Sequence, residues 1–287
     1  MLASLQRRMF WAGTALLPSV PGSSAIAAPA GQPCPHTGQP CGWQINFQPA
    51  ASPVMENIED FHRLLVWIIT ATSLFVLVLL LWIMVRYNRR ANPAPSKTEH
   101  NTLLEIVWTI VPVIVLVIIA IPSFKLLYYE ADIPKPDLTI EAIGKQWFWS
   151  YKYPTQNLQF DSLGLSDADA LKRNEPRLLG VDNIIVVPVN KVVKMVTTGA
   201  DVIHSWTIPA FGVKMDAVPG RLNETWFKAT ETGTFYGQCS ELCGARHAFM
   251  PIEVKVVSQT DFDSWLAGAK KKFAAIDGKT RLAALTQ

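Results

Sequence analysis

The residues best suited to chemistry lie in one short segment near the end of the chain. Between Cys239 and Met250, this segment holds two thiols, the imidazole of His247 and a thioether. A further imidazole, that of His204, lies upstream of the segment. Soft sulfur ligands combined with imidazole select copper or zinc, and a thioether is not among the usual ligands of zinc. The set therefore predicts a copper site.

A second thiolate distinguishes this set from a blue-copper site, which needs two His, one Cys and a weakly bound Met. Two thiolates in one loop allow both sulfurs to bridge two metal ions. Each ion then keeps one imidazole and one weak ligand. Met250 serves one ion, and the backbone carbonyl of Glu241 serves the other. A rigid β scaffold around such ligands favours electron transfer over bond-making, because little moves when an electron arrives.

Other interpretations of the same residues stay open at this point. Cys239 and Cys243 could form a disulfide in an oxidising compartment. The loop could instead hold a structural zinc ion. His204 taken alone is typical of a hydrogen-bonded core histidine, and its value comes from its combination with the loop.

The elements that must position these ligands form a β-rich region from residue 131 onward. Short β-branched and aromatic runs predict strands at 138–143, 147–153, 183–188, 191–198, 225–229, 234–236 and 252–257. Residues 162–181 predict an inserted loop with helical character. Residues 260–274 predict a closing helix, with Thr260 and Asp263 as its capping pair. Many short strands favour a sandwich or a Greek-key barrel.

Two uncharged apolar runs precede this region and predict membrane helices. Residues 64–85 extend over about 33 Å as a helix, enough for the hydrocarbon core. Residues 106–124 contain Pro112 and Pro122, which membrane helices tolerate. The connection between the runs is rich in Arg and Lys, and the flank before the first run is acidic. The positive-inside rule therefore puts the connection in the cytoplasm and the β-rich region outside.

The first thirty residues have the pattern of an export signal, with two arginines, a short apolar run and then small residues. A first membrane helix is the alternative, but Pro18 and Pro21 end the run below spanning length. Cys34 and Cys41 follow in a Pro/Gly-rich stretch. They favour a disulfide or free thiols over a metal site completed by His36.

Four motifs resemble subunit II of the aa3-type cytochrome c oxidases of bacteria and mitochondria. They are Gln146-Trp-Phe-Trp-Ser-Tyr151, Asp201-Val-Ile-His-Ser-Trp206, Met215-Asp-Ala-Val-Pro-Gly-Arg-Leu-Asn223 and Gly237-Gln-Cys-Ser-Glu-Leu-Cys-Gly244. The resemblance covers essentially the whole mature chain. It implies a two-helix transmembrane hairpin followed by an all-β, cupredoxin-like Greek-key barrel domain with a C-terminal helix. We expect a signal peptide at 1–30, an extracytoplasmic segment at 31–62, the hairpin at 63–130, the copper domain at 131–260 and the helix and tail at 261–287.

The same resemblance implies a role for particular residues. Five side chains and one carbonyl would hold a dinuclear copper A centre: His204, Cys239, Cys243, His247, Met250 and the backbone oxygen of Glu241. The Glu241 side chain would also bind magnesium at the interface with subunit I. Trp147 resembles the exposed aromatic through which cytochrome c passes its electron, with a packing tryptophan as the alternative. Glu105 resembles the start of a proton-uptake path into subunit I, with a water-exposed interfacial carboxylate as the alternative.

The implied function is that of an electron-accepting subunit in a proton-pumping oxidase of the bacterial inner membrane, with its copper domain in the periplasm. Its partners would be subunit I, other oxidase subunits and a donor cytochrome c. Oxygen chemistry must belong to subunit I, because the two apolar runs contain no histidine. A net charge of +3 without a basic, aromatic stripe excludes nucleic acid as a partner.

Three rival classes differ from this interpretation in specific features. Quinol oxidase subunits II share the fold but lack the copper ligands. Nitrous oxide reductases share the copper loop but carry a large propeller and no two-span hairpin. A membrane-anchored β domain stapled by a disulfide would hold no copper. A fused cytochrome c is excluded, because the chain contains no C-x-x-C-H motif.

Acidic residues that could dock a strongly basic cytochrome c are few. Lys152 and Ala200 stand where the resembled family commonly has acids, and Lys145 stands where it commonly has His. The remaining docking candidates are Asp161, Asp182, Asp201 and Asp216. From residue 131 onward, 18 Lys and Arg stand against 17 Asp and Glu, a net of +1. We therefore expect weak long-range attraction of a basic donor, and a donor that is less basic or tethered to the membrane.

Overall fold

A computed structural model describes residues 38–42 and 44–285, with side chains up to residue 273. Two long helices come first, and ten short strands with a closing helix follow within that range. The predicted signal peptide and Cys34 lie outside the described residues. Cys41 is disulfide-bonded.

The two apolar runs lie in helices α1, Pro53–Arg86, and α2, Thr102–Ala131. In the described part of the chain, these are the two helices long and apolar enough to cross a membrane, each with a mean hydropathy of 2.8. Helix α1 begins well before residue 63, where the sequence places the start of the hairpin. The side chain of Ser52 accepts a hydrogen bond from Met55 N, and a proline in the first turn has no helical N–H to lose.

The segment before α1 ties the helices to the β domain. Ala51 N donates to Ala210 O at 2.9 Å, and Ala51 O accepts from Thr230 N at 3.0 Å. The Ser52 hydroxyl donates to Phe211 O at 2.7 Å. Ala51 and Ser52 are fully buried. The helical hairpin and the β domain are therefore joined by packed backbone as well as by the chain that links α2 to the first strand.

The β domain consists of ten strands: β1 Leu138–Lys145, β2 Phe148–Tyr153, β3 Leu158–Ser162, β4 Ile185–Pro188, β5 Val193–Gly199, β6 His204–Ile208, β7 Val213–Ala217, β8 Asn223–Phe227, β9 Gly233–Gln238 and β10 Pro251–Val257. One sheet has the order β3-β2-β1-β5-β8, a second has the order β4-β10-β9, and β6 pairs with β7. The β1–β5 and β4–β10 pairs are parallel, so their connections cross over from one strand to another. The predicted fold class is confirmed: two apolar helices, an all-β domain and a C-terminal helix.

Three strands, β3, β6 and β7, are not indicated by the sequence pattern. Polar residues within these strands, such as Asp161 in β3 and Asp216 in β7, interrupt the β-branched and aromatic pattern on which strand prediction depends. The predicted strand at 147–153 begins one residue later, because Trp147 lies in the turn between β1 and β2. The inserted loop contains a short helix, α3, Asp167–Arg173.

The closing helix α4, Gln259–Leu285, begins earlier than its predicted capping pair. The Ser258 side chain accepts from Asp261 N at 3.2 Å and donates to Asp261 Oδ2 at 2.7 Å. The capping prediction for Thr260 and Asp263 is therefore wrong by two residues. The reason is that the helix starts almost directly after β10, so that the first capping residue available is Ser258.

A buried tyrosine joins the two larger sheets. The Tyr153 hydroxyl donates to Val186 O at 3.0 Å and accepts from Val186 N at 3.1 Å. Trp206 Nε1 donates to the Tyr151 hydroxyl at 3.3 Å and ties the β6–β7 pair to the same core. Both tyrosine hydroxyls thus have partners, which burial requires. These hydrogen bonds consequently fix the orientation of the sheets relative to one another, in addition to the apolar packing of the core.

One carboxyl group is buried away from the predicted metal ligands. Glu253 in β10 is 2 % exposed, and its Oε2 accepts from Val181 N at 3.0 Å. Burial raises the pKa of Glu253 to about 7, and nearby Glu175 adds to the rise, against the lowering effect of the Val181 hydrogen bond. Ionisation of this group therefore disfavours the folded state.

We expect Glu253→Gln to flatten the pH dependence of stability. Because the folded pKa is raised, the folded protein binds more protons than the unfolded chain between the ordinary carboxyl pKa and about 7. Stability is therefore full at the acidic end of this window and falls as pH rises through it, by an amount on the order of 3 kcal/mol. Denaturant unfolding of the detergent-solubilised chain at pH 5 and pH 8 measures the change. Glu231→Gln, at an exposed turn, is the control, and an unchanged slope in Glu253→Gln would contradict the prediction.

Candidate metal centre

The strands bring the predicted ligands to one end of the β domain. His204 is the first residue of β6, and the loop 239–250 joins β9 to β10. This loop is closed at its neck, because Gln238 and Pro251 are opposite each other in the antiparallel pair. The closure brings the first and last residues of the loop together, and Cys239 N donates to Met250 O at 3.3 Å. A second backbone bond, from residue 240 to residue 205, holds the loop against β6.

The side-chain ligand atoms form one continuous cluster. Cys239 Sγ lies 3.8 Å from Cys243 Sγ and 3.9 Å from His204 Nδ1. Cys243 Sγ lies 3.6 Å from His247 Nδ1 and 3.5 Å from Met250 Sδ. The ligand atoms of His204, Cys239 and Cys243 all lie within 4.8 Å of one another. The two thiols therefore occupy the centre of the cluster, with one imidazole beside each.

The sixth predicted ligand lies in the same place. The backbone oxygen of Glu241 is 3.3 Å from Cys239 Sγ. The Glu241 side chain is exposed, so it is free to meet a partner outside the cluster. Cys239, Cys243 and Met250 are buried, and His247 is half-buried. Donor chemistry and geometry together fit soft metal ions held away from water.

The two thiols are free, and the alternative of a Cys239–Cys243 disulfide is wrong. Burial opposes the ionisation of both thiols. At Cys239 it is outweighed by hydrogen bonds with His204 and with the backbone of the loop, which lower the pKa. At Cys243, burial and the neighbouring Cys239 thiolate raise the pKa. Metal ions would have to displace the proton from Cys243, because thiolates are the ligating form.

Asp201 orients one of the imidazoles. Its Oδ1 lies 2.9 Å from His204 Nε2, which leaves His204 Nδ1 directed at the thiols. Asp201 also accepts from Gln146 N and Val202 N, each at 2.7 Å. Although burial opposes it, these hydrogen bonds lower the pKa of the Asp201 carboxyl. A carboxylate behind a ligating histidine is a common way to fix the tautomer and the ring orientation.

Gly144 forms a wall of the cluster that the sequence does not reveal. A Cβ at this position would lie 2.6 Å from His204 Cδ2 and 2.8 Å from His204 Cβ. The ring of Trp149 packs on the same imidazole, with centroids 5.9 Å apart. His204 is completely buried. The imidazole is therefore clamped between β1, β2 and Asp201.

Family models match most of the chain. A model described as cytochrome c oxidase subunit II, periplasmic domain, matches residues 138–257. A model described as the transmembrane domain of the same subunit matches residues 40–126. The chain belongs to the cytochrome c oxidase subunit II family. The family and the cluster of His204, Cys239 and Cys243 together fit a copper centre.

Several relatives within the subunit II family are similar over most of their length. The probable cytochrome c oxidase subunit 2 of Rickettsia conorii is 53% identical over 242 residues, which are 84% of this chain and 76% of the relative. Cytochrome c oxidase subunit 2 of Cereibacter sphaeroides is 43% identical over 265 residues, 86% of this chain and 88% of the relative. The crystal structure of the periplasmic domain of subunit II of cytochrome oxidase (CoxB) of Bradyrhizobium japonicum is 62% identical. The match to this crystal structure covers 50% of the present chain and 99% of the CoxB chain, with a TM-score of 0.47.

In this member of the subunit II family, Trp147 touches the backbone of the loop 239–250, which holds four of the predicted ligand side chains. Its indole Nε1 donates to Cys243 O at 3.2 Å, and Gln146 Nε2 donates to the same oxygen at 2.9 Å. The Trp147 side chain is partly exposed. A single aromatic residue thus connects the surface to a predicted ligand.

The four candidate docking acids do not form one group of free carboxylates. Asp161 accepts from the Ser150 hydroxyl and lies 4.0 Å from Lys145 Nζ. Asp182 accepts from a backbone N–H at 2.7 Å, and Asp201 is bound to His204. Asp216 is exposed on β7. Three of the four therefore already have partners within the chain.

Glu105 lies far from the predicted metal ligands. It is in the first turn of α2, whereas the β domain follows the last turn. The intervening helix spans about 40 Å. This separation is what a carboxylate on the opposite side of a membrane requires. The cytoplasmic position of Glu105 and its role in proton uptake remain predictions.

Proposed function

We propose that this chain accepts electrons from a cytochrome c at a dinuclear copper A centre and passes them to the haem of subunit I. Oxygen reduction and proton pumping then take place in the complex that subunit I forms with this chain and other oxidase subunits. The observation that carries the proposal is the single buried cluster in which two free thiols, 3.8 Å apart, stand between two imidazoles. The family membership supports the same role.

The ligand set we propose is His204, Cys239, Cys243, His247, Met250 and the backbone oxygen of Glu241. The copper pair, when bound, supplies a one-electron carrier whose unpaired electron is shared between two ions. The protein holds the ligands so that they move little during electron transfer. The closed neck of the loop fixes the sulfurs, Asp201 fixes one imidazole, and burial keeps water from the thiols. Fast electron transfer needs surroundings that rearrange little. The same buried and fixed ligands leave no open position at which a substrate could bind.

We propose Trp147 as the residue through which electrons enter. Its ring is partly exposed, and its indole N–H bonds directly to the carbonyl of Cys243. This hydrogen bond gives a short route from a docked donor to a thiol ligand. The exposed carboxylate of Glu241 is the proposed contribution to a magnesium site shared with subunit I, since carboxylate oxygens suit that ion.

The proposed orientation puts the β domain in the periplasm and the α1–α2 connection in the cytoplasm, in line with its Arg and Lys content. Glu105 then faces the cytoplasm, where protons for oxygen reduction are taken up. We propose that it lies at the start of an uptake path into subunit I. A carboxylate at the edge of a membrane helix is suited to that task because it can bind and release a proton.

The copper content and paramagnetic resonance spectrum of the full chain, purified without subunit I and loaded with copper, test the proposal. We expect two copper ions per chain and one unpaired electron shared between them. One copper ion with a single-ion spectrum would indicate a blue-copper site instead. Absence of copper binding would leave a structural β domain and overturn the proposal.

A further inference from the structure

A groove of about 700 Å³ opens between the two membrane helices where they meet the β domain. It is lined by the first turns of α1, by the last turns of α2 with the link that follows it, and by Trp226 in β8. Tyr129 in α2 packs edge-to-face against Trp226, with ring centres 5.6 Å apart. The groove contains none of the proposed copper ligands, and its volume is ample for a small bound molecule.

The lining of the groove changes from apolar to polar along the helices. Leu64 in α1 and Pro122 in α2 belong to the two uncharged apolar runs and line the end that lies within the membrane. Asp60 in α1 and Asp132 after α2 line the end nearer the β domain. Because the groove crosses from the apolar runs to their charged flanks, it lies at the depth of the lipid headgroups.

Two cations mark the edge of the apolar layer at this groove. Arg63 directly precedes the first apolar run, and Lys125 directly follows the second. The start of α1 and the end of α2 line the same groove, so the two cations lie at the same edge of the membrane. Lys125 lines the groove and takes part in no ion pair among the described residues. A lysine at this depth can extend its flexible stem toward the phosphate groups of the lipids.

Two carboxylates lie further from the membrane than these cations. Asp132 is seven residues beyond Lys125, about 10 Å further along the direction of α2. Its carboxylate has no ion-pair partner among the described residues. Asp60 is one turn outward from Arg63 and pairs with it at 3.3 Å, but both side chains are largely exposed, and such a pair contributes only about 0–1 kcal/mol. The groove thus offers positive charge at the edge of the membrane and available negative charge outside it.

We propose that this groove binds a phospholipid whose headgroup carries a primary amine, of the phosphatidylethanolamine type. Its phosphate binds Lys125, its ammonium binds Asp60 or Asp132, and its chains continue along the apolar end of the groove. The order of charges in this headgroup, with the phosphate inside and the ammonium outside, matches the order of charges in the groove. A choline headgroup has no N–H to donate to a carboxylate, and a glycerol headgroup has no cation to offer. The inference depends on the two membrane helices and not on the copper centre.

The test identifies the lipids that stay bound to the full chain. The chain is solubilised in mild detergent with equal amounts of phosphatidylethanolamine, phosphatidylcholine and phosphatidylglycerol, and native mass spectrometry counts the lipids retained. We expect phosphatidylethanolamine to be retained in about fivefold excess over each of the other two. Asp60→Asn combined with Asp132→Asn should abolish this excess, because no carboxylate remains for the ammonium. Lys125→Gln should lower the retention of all three lipids by about threefold to fivefold, because each of them carries a phosphate.

Matched variants remove the same charges outside the groove. Glu56→Gln removes an exposed carboxylate from the first turn of α1, and Lys135→Gln removes an exposed ammonium beyond the end of α2. Neither residue lines the groove, so both variants should keep the excess of phosphatidylethanolamine found in the wild type. An unchanged denaturant midpoint in each variant shows that the fold is intact.

Three results would overturn the proposal. The first is equal retention of the three lipids, or an excess of phosphatidylglycerol, in the wild type. The second is loss of the excess in Glu56→Gln, which would show that only the overall charge of this end matters. The third comes from the complete oxidase: if it retains as much phosphatidylethanolamine with the double variant as with the wild type, another subunit fills the groove. Copper content measured on the same samples should be unchanged in every variant, so the lipid site and the proposed electron-transfer function can fail independently.

Discussion

Cys243→Ser is expected to abolish the dinuclear centre while the β domain stays folded. Three proposed ligand atoms surround Cys243 Sγ: Cys239 Sγ, His247 Nδ1 and Met250 Sδ lie 3.8, 3.6 and 3.5 Å away. A serine hydroxyl is a harder donor and a poor bridge between two soft ions. We expect at most one copper per chain and loss of the shared-electron spectrum.

Electron transfer into the oxidase should fall by more than about 100-fold in Cys243→Ser, because changes around the ligands alone already cost about 10–100-fold in metal affinity. Copper analysis, paramagnetic resonance and donor oxidation rates measure the effect. Ser240→Ala is the matched control in the same loop, since Ser240 bonds to Ser205 through its backbone N–H, which the variant keeps. Two copper ions sharing an electron in Cys243→Ser would rule out the proposed bridging thiolates.

The fold could be predicted from the sequence where the pattern of residues is local. The apolar runs of α1 and α2 are long, uncharged and bounded by charges, so their identity follows from composition alone. The seven predicted strands are present because their β-branched and aromatic runs are typical of half-buried sheets. Strand β6, which carries His204, is one of the three that the sequence pattern does not indicate: its run of Trp206, Thr207 and Ile208 is short and begins with the polar His204 and Ser205. Its pairing with β7, its burial in the core and the bond from the loop 239–250 to Ser205 hold it in place, and the last two depend on residues distant in sequence.

The candidate site divides in the same way. Cys239, Cys243, His247 and Met250 lie within one loop, so their spacing alone indicates a metal site. The residues that pack around the ligands, Gly144 in β1 and Trp149 in β2, come from strands distant in sequence. Asp201 stands three residues before His204 in the sequence, but it is predicted only as one of the few acids that could dock a donor, and its bond to the imidazole is not predicted. The close approach of β1 to the imidazole has no signal in the sequence, since an isolated glycine in a strand is consistent with several local structures.

Gly144→Ala is expected to damage the copper centre through a single methyl group. The new Cβ would lie 2.6 Å from His204 Cδ2, closer than carbon atoms pack, so one of the two must move. The backbone of β1 is held by seven parallel partners in β5 and by its pairing with β2. The imidazole is the softer element, although Asp201 and Trp149 restrain it. We therefore expect the ring to tilt, and its Nδ1 to leave the position beside Cys239.

The expected result for Gly144→Ala is a copper affinity lowered by about 10–100-fold and a free energy of unfolding lowered by about 1–3 kcal/mol. Copper competition with a chelator and denaturant unfolding measure the two quantities separately. Gly268→Ala in α4 is the matched control, because a Cβ there meets nothing within 4 Å and alanine favours a helix. If Gly144→Ala binds copper as tightly as the wild type and shows an unchanged spectrum, then His204 tolerates displacement and β1 is not a wall of the site. Loss of affinity without loss of stability would mean that the ring moves aside at little energetic cost, so that neither Asp201 nor the packing around it restrains the ring strongly.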